Sequence, residues 1–246
     1  MEKFTTDGIV LKTSVTGESD RIVYILTAER GVIRAFAKGA RSPKSRLHAG
    51  TAQFVYGSFS FSEKNGVFNV RETMEQQTFF SLSLDLKKLT LAQYFCEVLL
   101  RVTPDGDSDP EYLRLMLNAL YVLSREKKTP EAVKAVFELR LTAMAGYSPS
   151  LIACDTCGAF QTPGMYFHCE TGKLYCERCG EQTGAVKLPL SVISAMRHIV
   201  FSSSEKIFSF EMSHDGLLLL SKITETYEKN CFQQKFRLLE FYYAVN

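Results

Sequence analysis

Two C-x-x-C pairs, Cys154/Cys157 and Cys176/Cys179, close the ends of the stretch "CDTCGAFQTPGMYFHCETGKLYCERCG" with eighteen residues between them. No other feature limits the fold as strongly. Two residues between cysteines let both thiolates of a pair reach one ion from a single tight turn, and two such turns complete a tetrahedron. Glycine follows each pair, at Gly158 and Gly180, where positive φ would aim backbone N–H groups at the sulfurs. Four thiolates leave no open position for water or substrate, so the spacing predicts one structural Zn2+ held by Cys154, Cys157, Cys176 and Cys179. The turn signals "TPG" and "ETG" on either side of "MYFH" predict a small ribbon of short strands. A thioredoxin-like redox pair would need a strand feeding a helix in a βαβ setting, and none is evident. Cys169 stands 11 and 6 residues from the nearest pairs, matches no paired turn, and reads as a bystander. Cys96 and Cys231 fall on apolar helical stripes and are expected in the core.

The first 80 residues read as short strands. "GIVLKTS" and "RIVYILTAERGVIRAFAKG" are rich in Val, Ile, Tyr and Phe, with "AERG" as a turn. In "QFVYGSFSFSEKNGVFNVRE", Phe54 and Tyr56 share one phase of a period-two pattern, and Phe59 and Phe61 take the other after Gly57. That predicts a bulge or bend at the glycine. Asn65-Gly66 is a strong hairpin signal. About five strands joined by short turns, with one long connection from Lys38 to Gly50, match a five-stranded OB-type barrel.

After Phe80 the period becomes helical. Leu82, Leu86, Leu89, Tyr94, Val98 and Val102 form one stripe ended by "TPDGD". The next two segments open on Ser108 or Asp109 with Pro110, and on Thr129 with Pro130, the second ending at Gly146. Helical patterns resume after the cysteines in "LPLSVISAMRHIV", "SHDGLLLLSKITETYEKN" and "KFRLLEFYYAV". The expected division is an OB domain over 1–80, a helical domain over 81–150 and 183–246, and the zinc ribbon inserted at 151–182. The fold class is therefore α+β multidomain: a barrel, then an all-α domain with an inserted four-cysteine ribbon.

A net charge of +2 over 246 residues does not by itself announce a polyanionic partner. Its distribution does. From Arg30 to Phe61 no residue is acidic, whereas Arg30, Arg34, Lys38, Arg41, Lys44 and Arg46 are all basic. "RAFAKGARSPKSRLHAG" reads as a mobile, exposed loop whose cations meet phosphates, with weak sequence preference. Tyr24 and Tyr56 are candidates to stack on bases, although most aromatics belong in a core. "MEKFTTDGIVLKTS" reaches charge and glycine before any apolar run of signal-peptide length, and "LLLL" at 217–220 is far short of the roughly 20 residues of a membrane span. A soluble, intracellular protein without membrane contact is expected.

Taken in order, "GIVLKTSVTGESDRIVYILTAERGVIRAFAKGARSPKSRL" and "CDTCG…CERCG" resemble the bacterial recombination mediator family RecO over essentially the whole chain. Gly8, Glu18, Asp20, Thr27, Gly31 and "KGARSPKSR" carry most of the likeness. The resemblance implies a non-enzymatic DNA repair and recombination protein of the bacterial cytoplasm and nucleoid. Such a protein binds ssDNA and dsDNA and anneals complementary strands. With RecR it helps RecA replace single-strand-binding protein. It also implies a DNA-binding surface at Arg34, Lys38, Arg41, Lys44 and Arg46, with Lys12 and Arg21 as further members. A site for the acidic tail of single-strand-binding protein is implied on the helical domain, for which Lys134, Arg140 and Arg197 are candidates. The alternatives are another OB and zinc-ribbon protein acting on RNA or in transcription, a zinc enzyme, and a purely protein-binding helical scaffold. The enzyme would need an H-x-E beside P-C-x-x-C, which the chain lacks.

Overall fold

Period-two alternation carries the start of the chain into five strands: β1 (Glu2–Thr16), β2 (Asp20–Thr27), β3 (Gly31–Ala37), β4 (Val55–Lys64) and β5 (Val67–Thr78). The computed structural model describes residues 2–103, 106, 109–160, 162–181 and 183–245, so an N-cap at Ser108 lies outside the described residues. The strands close a barrel in the order β1-β2-β3-β5-β4. Long β1 makes closure feasible, because its first half pairs with β4 and its second half with β2. Val10, Val23, Ile25, Ile33, Ala35, Phe59, Phe61 and Val70 fill the interior. Each large side chain there contributes roughly 1.5–3 kcal/mol of transfer free energy.

The hairpin from β4 to β5 turns at Asn65 (φ 54°) and Gly66 (φ 76°), both left-handed as the Asn-Gly signal requires. The register irregularity is real but lies on the other strand. Val55, Gly57, Phe59 and Phe61 all face inward along an unbroken β4. Tyr56 pairs with Gln77 and Gly57 with Glu75, while Ser60 pairs with Glu72 and Phe61 with Val70, so the extra residues, Gln76 and Arg71, belong to β5. Phe54 precedes β4 with φ 65°, which is why it departs from the phase of the strand. Gly57 is needed for close approach: a Cβ there would sit 2.2 Å from the Met74 carbonyl oxygen.

The chain divides into two compact units, Met1–Ser124 with Phe236–Asn246, and Arg125–Lys235. The first joins the barrel to α1 (Leu86–Val102), α2 (Pro110–Ser124) and α7 (Arg237–Ala244). Asp85 caps α1 by accepting the Lys88 N–H at 3.1 Å, which fixes its start and leaves Leu86 exposed rather than on the buried stripe. Asp109 accepts the Glu111 N–H at the start of α2. Glu97 of α1 receives the Leu238 N–H at 3.0 Å, tying down the first turn of α7.

The second unit contains α3 (Pro130–Met144), α5 (Leu190–Phe201) and α6 (His214–Phe232), with the ribbon strands β6 (Met165–His168), β7 (Lys173–Cys176) and β8 (Val186–Leu188) and the short α4 (Glu177–Gly180). The helices before and after the cysteines are thus shared between the units instead of forming one helical body. β8 pairs with β6 and carries the ribbon sheet beyond residue 182. Tyr227 of α6 anchors the ribbon: its ring meets Phe167 edge-on at 5.5 Å, and its hydroxyl donates to the Tyr147 carbonyl at 2.8 Å. Among the described residues, no helix is long and apolar enough to cross a membrane.

Candidate metal centre and nucleic-acid interface

The two C-x-x-C turns converge. The Sγ atoms of Cys154, Cys157, Cys176 and Cys179 all lie within 4.8 Å of one another, and Cys157 and Cys176 approach to 3.6 Å. A tetrahedral ion with metal–sulfur bonds of about 2.3 Å needs sulfur–sulfur edges of about 3.8 Å, so the donor set fits a metal ion and leaves no fifth ligand position. The first turn closes through the Gly158 N–H onto the Cys154 carbonyl at 2.9 Å, with Gly158 at φ 71°. Gly180 plays a different part from the one expected. It lies in α4 without positive φ, and a Cβ would fall 2.6 Å from the Tyr166 ring, so glycine is required there for packing.

The thiols are electrostatically inequivalent. Burial disfavours the Cys154 thiolate, but N–H groups of Cys176, Cys157 and Thr156 outweigh it and lower its pKa to about 6. Cys179, whose thiol donates to Cys176, is held up to about 12. Cys169 is outside the cluster, and its thiol is pushed up to about 11 by burial and then by Glu170. Burial also raises the Cys96 and Cys231 thiols, but only Cys96 is in the core as expected, and Cys231 is half-buried.

The first turn is held from outside by Arg197 of α5, which donates to the carbonyls of Leu151 (2.7 Å), Ile152 (3.0 Å) and Phe160 (2.9 Å). Arg197 is therefore a structural staple, not a free cation for an acidic tail. Arg140 likewise donates to Val200 at 2.7 Å. Lys134 is not a surface residue at all: it is 1% exposed between Glu138 (2.9 Å) and Glu225 (2.8 Å). The signal was present in "AVKAVFELRL", where one lysine with Glu138 four residues on is set among apolar neighbours.

In the first unit, Arg34, Lys38, Arg41, Lys44 and Arg46 are all exposed. The connection that carries most of them is wound into successive turns and pinned, in contrast to the loose loop expected. Asp20 accepts the Gly39 N–H at 2.7 Å, Ser19 accepts the Arg41 N–H at 2.9 Å, and Ala40 and Leu47 are buried against the barrel core. Arg21 is part of the pin, donating to the His48 carbonyl (2.8 Å) and Thr51 hydroxyl (3.0 Å); burial, with Arg41 close by, lowers its pKa. Arg30 is engaged by Glu2 at 3.0 Å and Glu63 at 3.7 Å. Among the described residues, Lys38, Lys44 and Arg46 form no ion pair, and Arg41 reaches only the carbonyls of Glu18 and Gly17. Unpaired cations on a pinned backbone attract phosphates without first being released from a protein carboxylate.

A groove of about 820 Å³ borders this surface within the same unit, with Lys12, Tyr24, Arg34, Gln93 and Arg101 on its walls. Local sequence patterns do not reveal it, because its walls come from three strands and two helices.

Comparison with known families supports the assembly. The family described as Recombination protein O N terminal matches residues 1–77, and Recombination protein O C terminal matches residues 83–240. "DNA repair protein RecO" of Acetivibrio thermocellus is 34% identical over 242 residues, covering 98% of this chain and 96% of that protein. The protein of the same name from Alkaliphilus metalliredigens is 29% identical over 223 residues, covering 90% and 91%. Another from Caldicellulosiruptor bescii is 26% identical over 242 residues, covering 98% of each.

Proposed function

The chain belongs to the recombination protein O family, and from that membership and the geometry of its barrel unit we propose that it is a DNA-binding mediator of DNA repair and homologous recombination. It binds ssDNA and dsDNA through Arg34, Lys38, Arg41, Lys44 and Arg46. It anneals complementary strands and, with RecR, helps RecA load onto DNA covered by single-strand-binding protein.

The observation that carries the reading is the pinned cationic surface on a closed five-stranded barrel. Annealing needs no catalytic residue, so the protein is not an enzyme. Screening phosphate repulsion between two strands lowers the cost of their encounter, and duplex stacking then supplies the driving free energy. The four sulfurs hold one structural Zn2+, since an all-thiolate tetrahedron suits that ion and leaves no site for substrate. The ion keeps a ribbon too small for its own core in one shape. No particular helix recommends itself for the tail of single-strand-binding protein, because Lys134, Arg140 and Arg197 are engaged within their own unit.

Salt titration tests the DNA contact. On single strands, log K falls by about 0.7 per phosphate contact for each decade of salt. Replacing Lys38, Arg41 and Arg46 by Ala should weaken binding and flatten the slope by about 2. An unchanged slope removes this surface from the reading.

A further inference from the structure

Lys12, Tyr24 and Arg34 form a single rank across three strands: Lys12 is the register partner of Tyr24 on β2, and Tyr24 is the partner of Arg34 on β3. Neighbouring strands lie about 5 Å apart, so an aromatic ring is flanked on both sides by cations at one strand spacing. All three residues line the groove, together with Gln93 and Arg101 of α1 and Thr103 just past its end. Thr103 borders the groove with its Oγ1 buried and without a hydrogen-bond partner. The acidic residue of the wall, Glu97, is occupied by Arg101 at 2.5 Å and by the Leu238 N–H. What remains available is an aromatic face, two flanking cations and a neutral amide.

We propose that this groove takes an unpaired nucleobase of a single strand, stacked on Tyr24, with Lys12 and Arg34 on the phosphates either side. The inference rests on the reading of the barrel unit as a DNA-binding surface and adds to it a structural basis for preferring single strands. Every base has a π-face, so stacking tolerates any sequence, but a paired base in a duplex cannot present its face to a ring in a groove. Position supports the same occupant: Arg34 lines the groove, and β3 leads from it into the connection that carries Lys38 and Arg41. Along β3 Arg34 and Phe36 point outward and Lys38 follows just past the strand's end, with the Arg34 guanidinium 5.6 Å from the Phe36 ring centre, so the face leaving the groove keeps the same cation and aromatic character. In the free protein the Lys12 ammonium stands 5.7 Å from the Tyr24 ring centre, a cation–π contact that base stacking would replace.

The test compares the wild-type chain with Tyr24→Leu and Tyr24→Phe for affinity to an oligothymidylate, to the same strand with abasic sites throughout, and to a duplex. The wild type should bind the thymidylate roughly tenfold more tightly than the abasic strand. Tyr24→Leu should lose that preference, keep its duplex affinity and keep its salt slope, because no phosphate contact is removed. Tyr24→Phe should behave as wild type. Equal wild-type affinity for normal and abasic strands overturns the inference whatever the variants do, and leaves the phosphate-binding reading standing. No binding of any nucleic acid at low salt overturns both. An acidic peptide that binds the wild type and is lost in Tyr24→Leu, with single-strand binding unaffected, assigns the groove to a protein and also overturns the inference.

Discussion

Replacing Lys134 by Met should unfold the second unit at markedly lower temperature, for reasons set by the geometry between α3 and α6. The ammonium group lies 2.9 Å from Glu138 and 2.8 Å from Glu225, with the carbonyl and hydroxyl of Ser221 at 3.4 Å. At an effective dielectric of about 20, each pair is worth about 6 kcal/mol of attraction, most of it offset by taking the charges out of water. Removing only the cation leaves that desolvation uncompensated, and the net cost is about 3–5 kcal/mol. For a unit of this size, that is a fall in Tm of at least about 10 °C.

The pH dependence has a definite sign. Burial already raises the Glu138 carboxyl, and Lys134 is the first of the groups that oppose the rise. In the variant this opposition is gone, so the folded state binds a proton that the unfolded chain releases at neutral pH. Stability gained from such a group is fully present below the unfolded pKa and is lost as pH rises through the folded one. Thermal melts followed by far-UV circular dichroism from pH 5 to 8 should therefore show the deficit of Lys134→Met shrinking toward acid. The double variant Lys134→Met/Glu138→Leu should recover most of the loss, because Glu225 keeps Lys229 at 2.5 Å. A Tm deficit that is absent, or independent of pH, or deepened in the double variant would refute the reasoning.

The metal centre makes two further predictions. Metal analysis should find about one zinc per chain, lost in Cys154→Ser, which removes one corner of the sulfur tetrahedron; a metal-free wild type that folds fully would remove the structural role. Gly180→Ala should weaken the ribbon although it replaces no ligand, since the added methyl meets the Tyr166 ring at 2.6 Å. Faster zinc transfer to a chromogenic chelator would show it, and an unchanged rate would mean that the ring moves aside freely.

Features encoded over a few residues were legible in advance. Asn65-Gly66, Thr129-Pro130 and the paired cysteines each specify a local geometry, and each recurs in the structure with its expected turn, cap or cluster. Features that depend on what lies across a strand or helix were not. Gly57 marks a close approach to Met74, but which strand carries the bulge is decided by pairing with β5. Arg21 and Arg197 look like any surface arginines until the carbonyls they hold, 27 and 46 residues away, are known. The rank of Lys12, Tyr24 and Arg34 is spread over three strands, so only the register brings it together. Lys134 departs from expectation for the opposite reason: its charge type suggests surface, while the apolar residues on both sides of it in α3 point inward.

The most direct test of the account is annealing of complementary oligonucleotides coated with single-strand-binding protein. The wild-type chain should accelerate duplex formation strongly at low salt, and Lys38→Ala/Arg41→Ala/Arg46→Ala should lose most of that acceleration while keeping its fold. Wild-type protein that leaves the annealing rate unchanged would contradict the mediator reading.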